Sequence, residues 1–241
     1  METITRKNLL FASVGERSVH QKFWLREKEK KNFDLALYYY GDEKNKYKND
    51  AEFYIQRKGS KLQNLSHFYW NHKKEVSEYD AIFILDDDIQ ISTDAINETF
   101  EILHKYELWL CQPAYSKESF TDWPIIKSKK GNILRYTNFV EVSAMMFSQY
   151  AFQKCLSVFF DSITGYGVDV MLAFLLGYPK DKIAIIDSVE CSHPFRRDSE
   201  MGKYVPRELH SLENCGLRKK YNAPKAFSAC EYGSITNEYS P

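Results

Sequence analysis

The chain has 241 residues, ample for a core, and its composition of 44% hydrophobic and 15% aromatic residues is that of an ordinary globular protein. Lysine plus arginine and aspartate plus glutamate stand at 33 each, which excludes a general nucleic-acid binder. Five scattered cysteines, none spaced C-x-x-C, argue against a disulfide framework or a zinc site, and no apolar run is long enough for a signal peptide or a membrane span.

In chain order, Asn8 to Val14 reads as a buried strand closed by Gly15, and Phe33 to Tyr40 as a second one closed by Gly41. Leu62, Leu65, Tyr69 and Val76 recur at helical spacing, so an amphipathic helix is expected over 61–77. Residues 79–85 form a third strand, apolar on both faces as a central parallel strand should be. Ser92, Thr93 and Asp94 offer caps for a helix that turns Ile96, Phe100 and Leu103 inward. Residues 108–113 read as a strand cut by Pro113, and 138–147 as another. A helix follows over 151–160, then a break at Gly165 and Gly167, a short apolar helix over 168–176 and a last strand over 182–187. Beyond Cys191 the signals fade into loops and a basic tail containing Arg218, Lys219 and Lys220. Strands alternating with helices predict a three-layer α/β/α sandwich with a mostly parallel central sheet. Ligands in such sheets sit outside the carboxyl ends of the strands.

That is where Asp86, Asp87 and Asp88 fall. Three adjacent carboxylates repel one another unless a cation sits among them. A D-x-D pair at a strand end offers alternate carboxylates to one crevice, and Mg²⁺ or Mn²⁺ bound there keeps open positions for a diphosphate. An EF-hand beginning at Asp86 is excluded, because Ile91 stands where its glycine and Asn97 where its glutamate should be. A phosphatase of the haloacid-dehalogenase type, with Asp86 as nucleophile and Asp88 as acid, is the alternative reading, although Gln90 stands where threonine or valine is usual.

The run I82-F-I-L-D-D-D88, followed by L110-C-Q-P-A114, F139-V-E141, G165-Y-G-V-D169 and I185-I-D-S188 with His193, resembles domain-of-unknown-function family 707. That family is similar in turn to nucleotide-sugar-dependent glycosyltransferases of the GT-A fold. The resemblance implies a transferase domain over 1–195 and an extension over 196–241 packed on or beside it. It implies that Asp88 and His193 hold the metal together with Asp86, and that Asp86 and Asp87 meet the nucleotide. Ala12, Val14, Arg17, Lys58 and Lys61 would line the nucleotide site, with Tyr166 stacking on a base or sugar.

Asp169 follows two glycines in the first turn of a helix, where the helix dipole favours its ionised form, and is the candidate base for an inverting transfer. Glu141, read as lying in an apolar strand, needs a partner if buried, and is the second catalytic candidate. The expected partners are a nucleotide-sugar donor and a glycan or lipid-linked acceptor, with a surface polysaccharide as the class of product and no nucleic acid. The expected location is the cytoplasm, with the basic tail reaching the inner face of a membrane. A non-catalytic nucleotide-sugar binding module would show the same residues without turnover.

Overall fold

The computed structural model describes residues 6–194 and 206–237, so the expected boundary at 195/196 lies outside the described residues. Among the described residues nine strands form one sheet: β1 (Asn8–Val14), β2 (Phe33–Tyr39), β3 (Phe53–Gln56), β4 (Ala81–Leu85), β5 (Leu110–Tyr115), β6 (Asn132–Thr137), β7 (Ala144–Ser148), β8 (Ile183–Cys191) and β9 (Glu231–Thr236). Their order across the sheet is β3-β2-β1-β4-β7-β5-β8-β6-β9. The helices are α1 (Lys61–Asn71), α2 (Lys73–Val76), α3 (Thr93–Lys105), α4 (Gln149–Asp161), α5 (Val168–Leu175) and α6 (Arg207–Lys220).

Helices cover both faces. Phe68 of α1 packs on Phe11 and Tyr38, whereas Phe100 of α3 packs on Phe33 and Phe83. Phe33 and Tyr38 are an odd number of residues apart on β2 and so point to opposite faces. Side-chain caps start three of these helices. Ser60 and Gln63 form a reciprocal capping box at α1, while Ser92 and Ser148 accept the backbone N–H of Ala95 and Ala151 at α3 and α4. The expected single helix over 61–77 is interrupted at His72, where α2 begins.

The sheet is mixed, not mostly parallel. Strands β1, β2, β3 and β4 pair in parallel, but β7 is inserted antiparallel between β4 and β5, and β6 runs antiparallel to both β8 and β9. Three further expectations are corrected. Pro113 does not end its strand: the register with β8 shifts at Pro113/Ala114, and the antiparallel pairing with β7 covers only Leu110 and Cys111, so the missing N–H falls where no regular ladder bond is needed. Residues 138–143 are a loop, and only 144–148 form the strand. The stretch after Pro206 is not irregular, for it supplies α6 and the edge strand β9.

A buried ion network ties that edge in place. Arg135 of β6, 1% exposed, donates from Nε to Asp187 Oδ2 at 2.7 Å and from Nη1 to Glu231 Oε1 of β9 at 2.6 Å. It also donates to the carbonyls of Ile125 and Lys127, so every direction of its fork is used. Among the described residues no helix is long and apolar enough to cross a membrane.

Candidate active site

The parallel strands β1, β2 and β4 end on the same side of the sheet, and the crevice there is built from the loops that follow them. Asp86, Asp87 and Asp88 come directly after β4. Antiparallel pairing with β7 continues one step past the strand, where Asp86 N donates to Ser143 O at 2.8 Å, so the triplet and the 138–143 loop are held together by backbone.

The three carboxylates have different surroundings. Asp86 lies 2.5 Å from Lys61 Nζ, which also donates to Val142 O at 2.7 Å. Lys61 is the first residue of α1, so the Ser60 cap that starts the helix also aims this lysine across the crevice. Although 35% of the Asp86 side chain faces open space, surrounding protein raises its pKa; Asp88 adds to the rise, while Lys61 and His193 oppose it. Asp87 turns the other way, accepting Gly15 N at 2.8 Å and Tyr40 OH at 3.4 Å, while its carbonyl accepts Val19 N at 2.9 Å. It therefore shapes the loop after β1. A side chain at Gly15 would overlap the Tyr40 ring, so the glycine permits this close approach.

Asp88 faces His193, with Oδ2 3.6 Å from Nε2. The backbone N–H of His193 donates to Ser119 Oγ at 3.0 Å, and its Nδ1 is 3.2 Å from the Phe120 carbonyl, which can only accept. Nδ1 therefore carries hydrogen, and Nε2 points at Asp88. Burial is the largest single influence on His193 and opposes its charge, but the carboxylates of Asp88, Glu141 and Asp86 together outweigh it, and the pKa lies above its ordinary value.

Glu141 and Asp169 complete the lining. Glu141 sits in the loop before β7; its N–H donates to Gln112 Oε1 at 2.6 Å, and its Oε2 is buried without a hydrogen-bond partner. Burial pushes its pKa up to about 7, opposed by His193 and reinforced by Asp169 and Asp86. Asp169 lies in the first turn of α5 and accepts the N–H of Val170 at 2.8 Å. Burial pushes it up to about 6, against the pull of that N–H, of Lys61 and of Arg218.

The turn before Asp169 is clamped by α6. Glu213 accepts the N–H of Ile163 and of Thr164 and the hydroxyls of Ser162 and Thr164. Gly167 has φ of 89°, and a Cβ there would meet Asn214 Oδ1 at 2.6 Å, so both the backbone and the packing of α6 call for glycine. Tyr166 is exposed and stacks on His210 at 5.2 Å.

Of the residues expected at the site, Asp86, Asp88, Glu141, Asp169, His193 and Lys61 are joined by contact or mutual electrostatic influence. Ala12 and Val14 are buried core residues of β1, Arg17 is exposed on the following loop, and Lys58 pairs with Asp42 at the surface at 2.5 Å. Gln112, Ser119 and Glu213 were not singled out from the sequence. Gln112 carried a signal, being a lone polar side chain in an apolar strand that must find a partner when buried.

Among the described residues no group of three or more His, Cys, Asp and Glu side chains is gathered to hold a metal unaided. Asp88 and His193 supply one oxygen and one nitrogen donor, and the Nδ1–H bond leaves Nε2 available once its proton is lost. A donor set this sparse fits an ion that takes most of its remaining ligands from a diphosphate and water.

No family model matches the chain, and no curated protein does. The resemblance to domain-of-unknown-function family 707 is therefore not confirmed by a family model. Solved structures do match. GalNAc-T7 with UDP, GalNAc and Mn²⁺ superposes with a TM-score of 0.56 at 9% identity, over 83% of this chain and 46% of that one. S. aureus TarS in complex with UDP-GlcNAc gives 0.53 at 11% identity, over 86% and 66%. The mannosyltransferase PcManGT from Pyrobaculum calidifontis with GDP-Man and Mn²⁺ gives 0.56 at 9% identity, over 93% and 67%. The chain thus spans about half the length of the first and about two thirds of the other two. At these identities the likeness establishes the fold: the chain is an α/β protein with a large mixed sheet, built as these transferases are.

Proposed function

We propose that the protein is a metal-dependent glycosyltransferase that moves a sugar from a nucleotide-sugar donor to a glycan or lipid-linked acceptor. The observation that carries this reading is the convergence of Asp86, Asp88, His193, Glu141 and Asp169 outside the carboxyl end of β4, in a fold shared with enzymes solved with UDP, UDP-GlcNAc or GDP-Man.

Asp88 and His193 would hold Mn²⁺ or Mg²⁺, which neutralises charge on a departing nucleoside diphosphate. Lys61 holds Asp86 in place and carries positive charge into the same crevice. The loop 15–20, anchored by Asp87, lines the nucleotide side and presents Arg17. Asp169 accepts the proton of the attacking acceptor hydroxyl. With its pKa near 6 it is mostly ionised at neutral pH, yet basic enough to take a proton. Glu141, near 7, stays partly protonated and can hydrogen-bond an acceptor hydroxyl through its unpartnered oxygen. The five cysteines are all unpaired, three of them buried, which supports a reducing compartment and hence the cytoplasm.

The test is a thermal-shift screen of UDP- and GDP-sugars with and without Mn²⁺. Ligand at 100 times its dissociation constant stabilises the native state by about 2.7 kcal/mol. The expected result is a rise in Tm for one donor class that requires the metal. Flat profiles across the whole screen would remove the transferase reading.

A further inference from the structure

The turn that follows β1 is held from two sides. Ser18 N–H donates to Gly15 O at 3.2 Å, which closes a turn with Glu16 and Arg17 as its two central residues. On the inner side Asp87 accepts Gly15 N–H through its carboxylate and Val19 N–H through its carbonyl. On the outer side stands the loop 41–50, which follows β2.

That outer hold has three parts. The Glu16 carboxylate accepts the Tyr39 hydroxyl, Asp42 N–H at 3.1 Å and Lys46 Nζ at 2.6 Å. Tyr47 OH donates to the Glu16 carbonyl at 3.2 Å. His20, fully buried, has Nε2 3.1 Å from Asp50 Oδ2 and Nδ1 2.7 Å from Ser18 Oγ. A carboxylate only accepts, so Nε2 carries the hydrogen and Nδ1 accepts the Ser18 hydroxyl. Burial lowers the His20 pKa against the pull of Asp50, which keeps the ring in the neutral form this arrangement requires.

Tyr47 has φ of 67°, a left-handed conformation that a bulky residue keeps only where its surroundings impose it. Its ring meets His20 edge-on at 4.5 Å and Tyr39 at 5.5 Å. A glycine would make the same connection between β2 and β3 without strain. What it could not supply is the ring beside His20 and the hydroxyl on Glu16.

The residue between these anchors is Arg17. A guanidinium fork matches two phosphate oxygens, but so long a side chain delivers that geometry only from a fixed backbone. We infer that loop 41–50 latches the donor turn, and that Ser18, His20 and Tyr47 are positioning residues that set Arg17 against the diphosphate of the donor. The inference rests on the proposed function and deepens it. Asp87 ties this turn to the backbone that carries Asp88, so the arginine and metal sides of one diphosphate share a single frame.

The experiment is calorimetry of UDP and of GDP, each with Mn²⁺, on the full chain. Ser18→Ala and Tyr47→Phe each delete one hydroxyl at a half-buried position, and melting curves confirm that the fold survives. Each is also made together with Arg17→Ala. With whichever nucleotide the parent binds, Ser18→Ala and Tyr47→Phe are expected to weaken binding about three- to tenfold, and to change it less than about twofold once Arg17 is Ala. Ser18→Thr, which keeps the hydroxyl, should bind as the parent does.

A merely structural latch would weaken binding equally with and without Arg17, and that result overturns the inference. So does unchanged binding by Ser18→Ala and Tyr47→Phe, or by Arg17→Ala alone, and in these cases the transferase reading stands. A parent that binds neither nucleotide removes both.

Discussion

Replacing Asp169 with Asn separates catalysis, binding and stability in one variant. Asn keeps the size of the side chain and an oxygen for the Val170 N–H, but it cannot take a proton. Burial raises Asp169 from its ordinary 3.8 to about 6, so the folded protein resists ionising a group that the unfolded chain ionises freely. The stability this group contributes is complete below pH 3.8, falls as pH rises towards 6, and is fully lost above it. At roughly 1.4 kcal/mol per tenfold change, the penalty above pH 7 is about 3 kcal/mol. The Asn variant escapes that penalty. In urea melts it should match the parent near pH 4 and gain up to about 3 kcal/mol at pH 7.5. Its transfer rate should fall by roughly 10²- to 10⁴-fold, while donor affinity measured by calorimetry stays within a few-fold. In the parent the rate should rise with pH through about 6. Near-normal turnover would refute the assignment of Asp169 as base, and loss of donor binding along with the rate would make it a binding residue. A variant no more stable at pH 7.5 than at pH 4, relative to the parent, would refute the burial argument.

Asp88→Asn should abolish Mn²⁺-dependent binding of nucleoside diphosphate with the fold retained; unchanged metal-dependent heats in calorimetry would sink the metal assignment. Lys61→Met removes the cation nearest Asp86 and leaves a poorly solvated carboxylate. It should cost about 2 kcal/mol in urea melts near pH 7, less than a fully buried pair because part of Asp86 meets solvent. That cost should shrink as the pH drops and Asp86 protonates. Glu213→Ala deprives the turn before Asp169 of its acceptor for two N–H groups and two hydroxyls. About 2 kcal/mol of destabilisation is expected. Turnover should fall more than donor affinity; an unchanged rate would show that α6 does not position Asp169.

Local pattern determined much of this protein. The apolar runs at 8–14 and 81–85 and the 3.6-residue spacing in α3 and α4 state how each segment is buried. The step from Leu85 to three aspartates states where an apolar strand ends in charge. Two glycines before Asp169 announce a tight turn into a helix. What these signals lack is the identity of the neighbour. Nothing in A144-M-M-F-S148 says that it slips antiparallel between β4 and β5, because a fully buried strand is apolar on both sides whichever way its partners run. That insertion brings the 138–143 loop to Asp86, so only the tertiary structure moved Glu141 from a supposed strand into the crevice. The polar strands β6 and β9 escaped notice because their burial is partial and their order comes from Arg135, Asp187 and Glu231, ion partners up to 96 residues apart. Likewise Lys61 and Asp86, and Glu213 and the 162–164 turn, are pairings of charge and hydrogen bonds across chain distance. Sequence periodicity reports how deeply a residue is buried, whereas a carboxylate's role depends on which charge lies within a few ångströms, and that is decided only when the sheet is assembled.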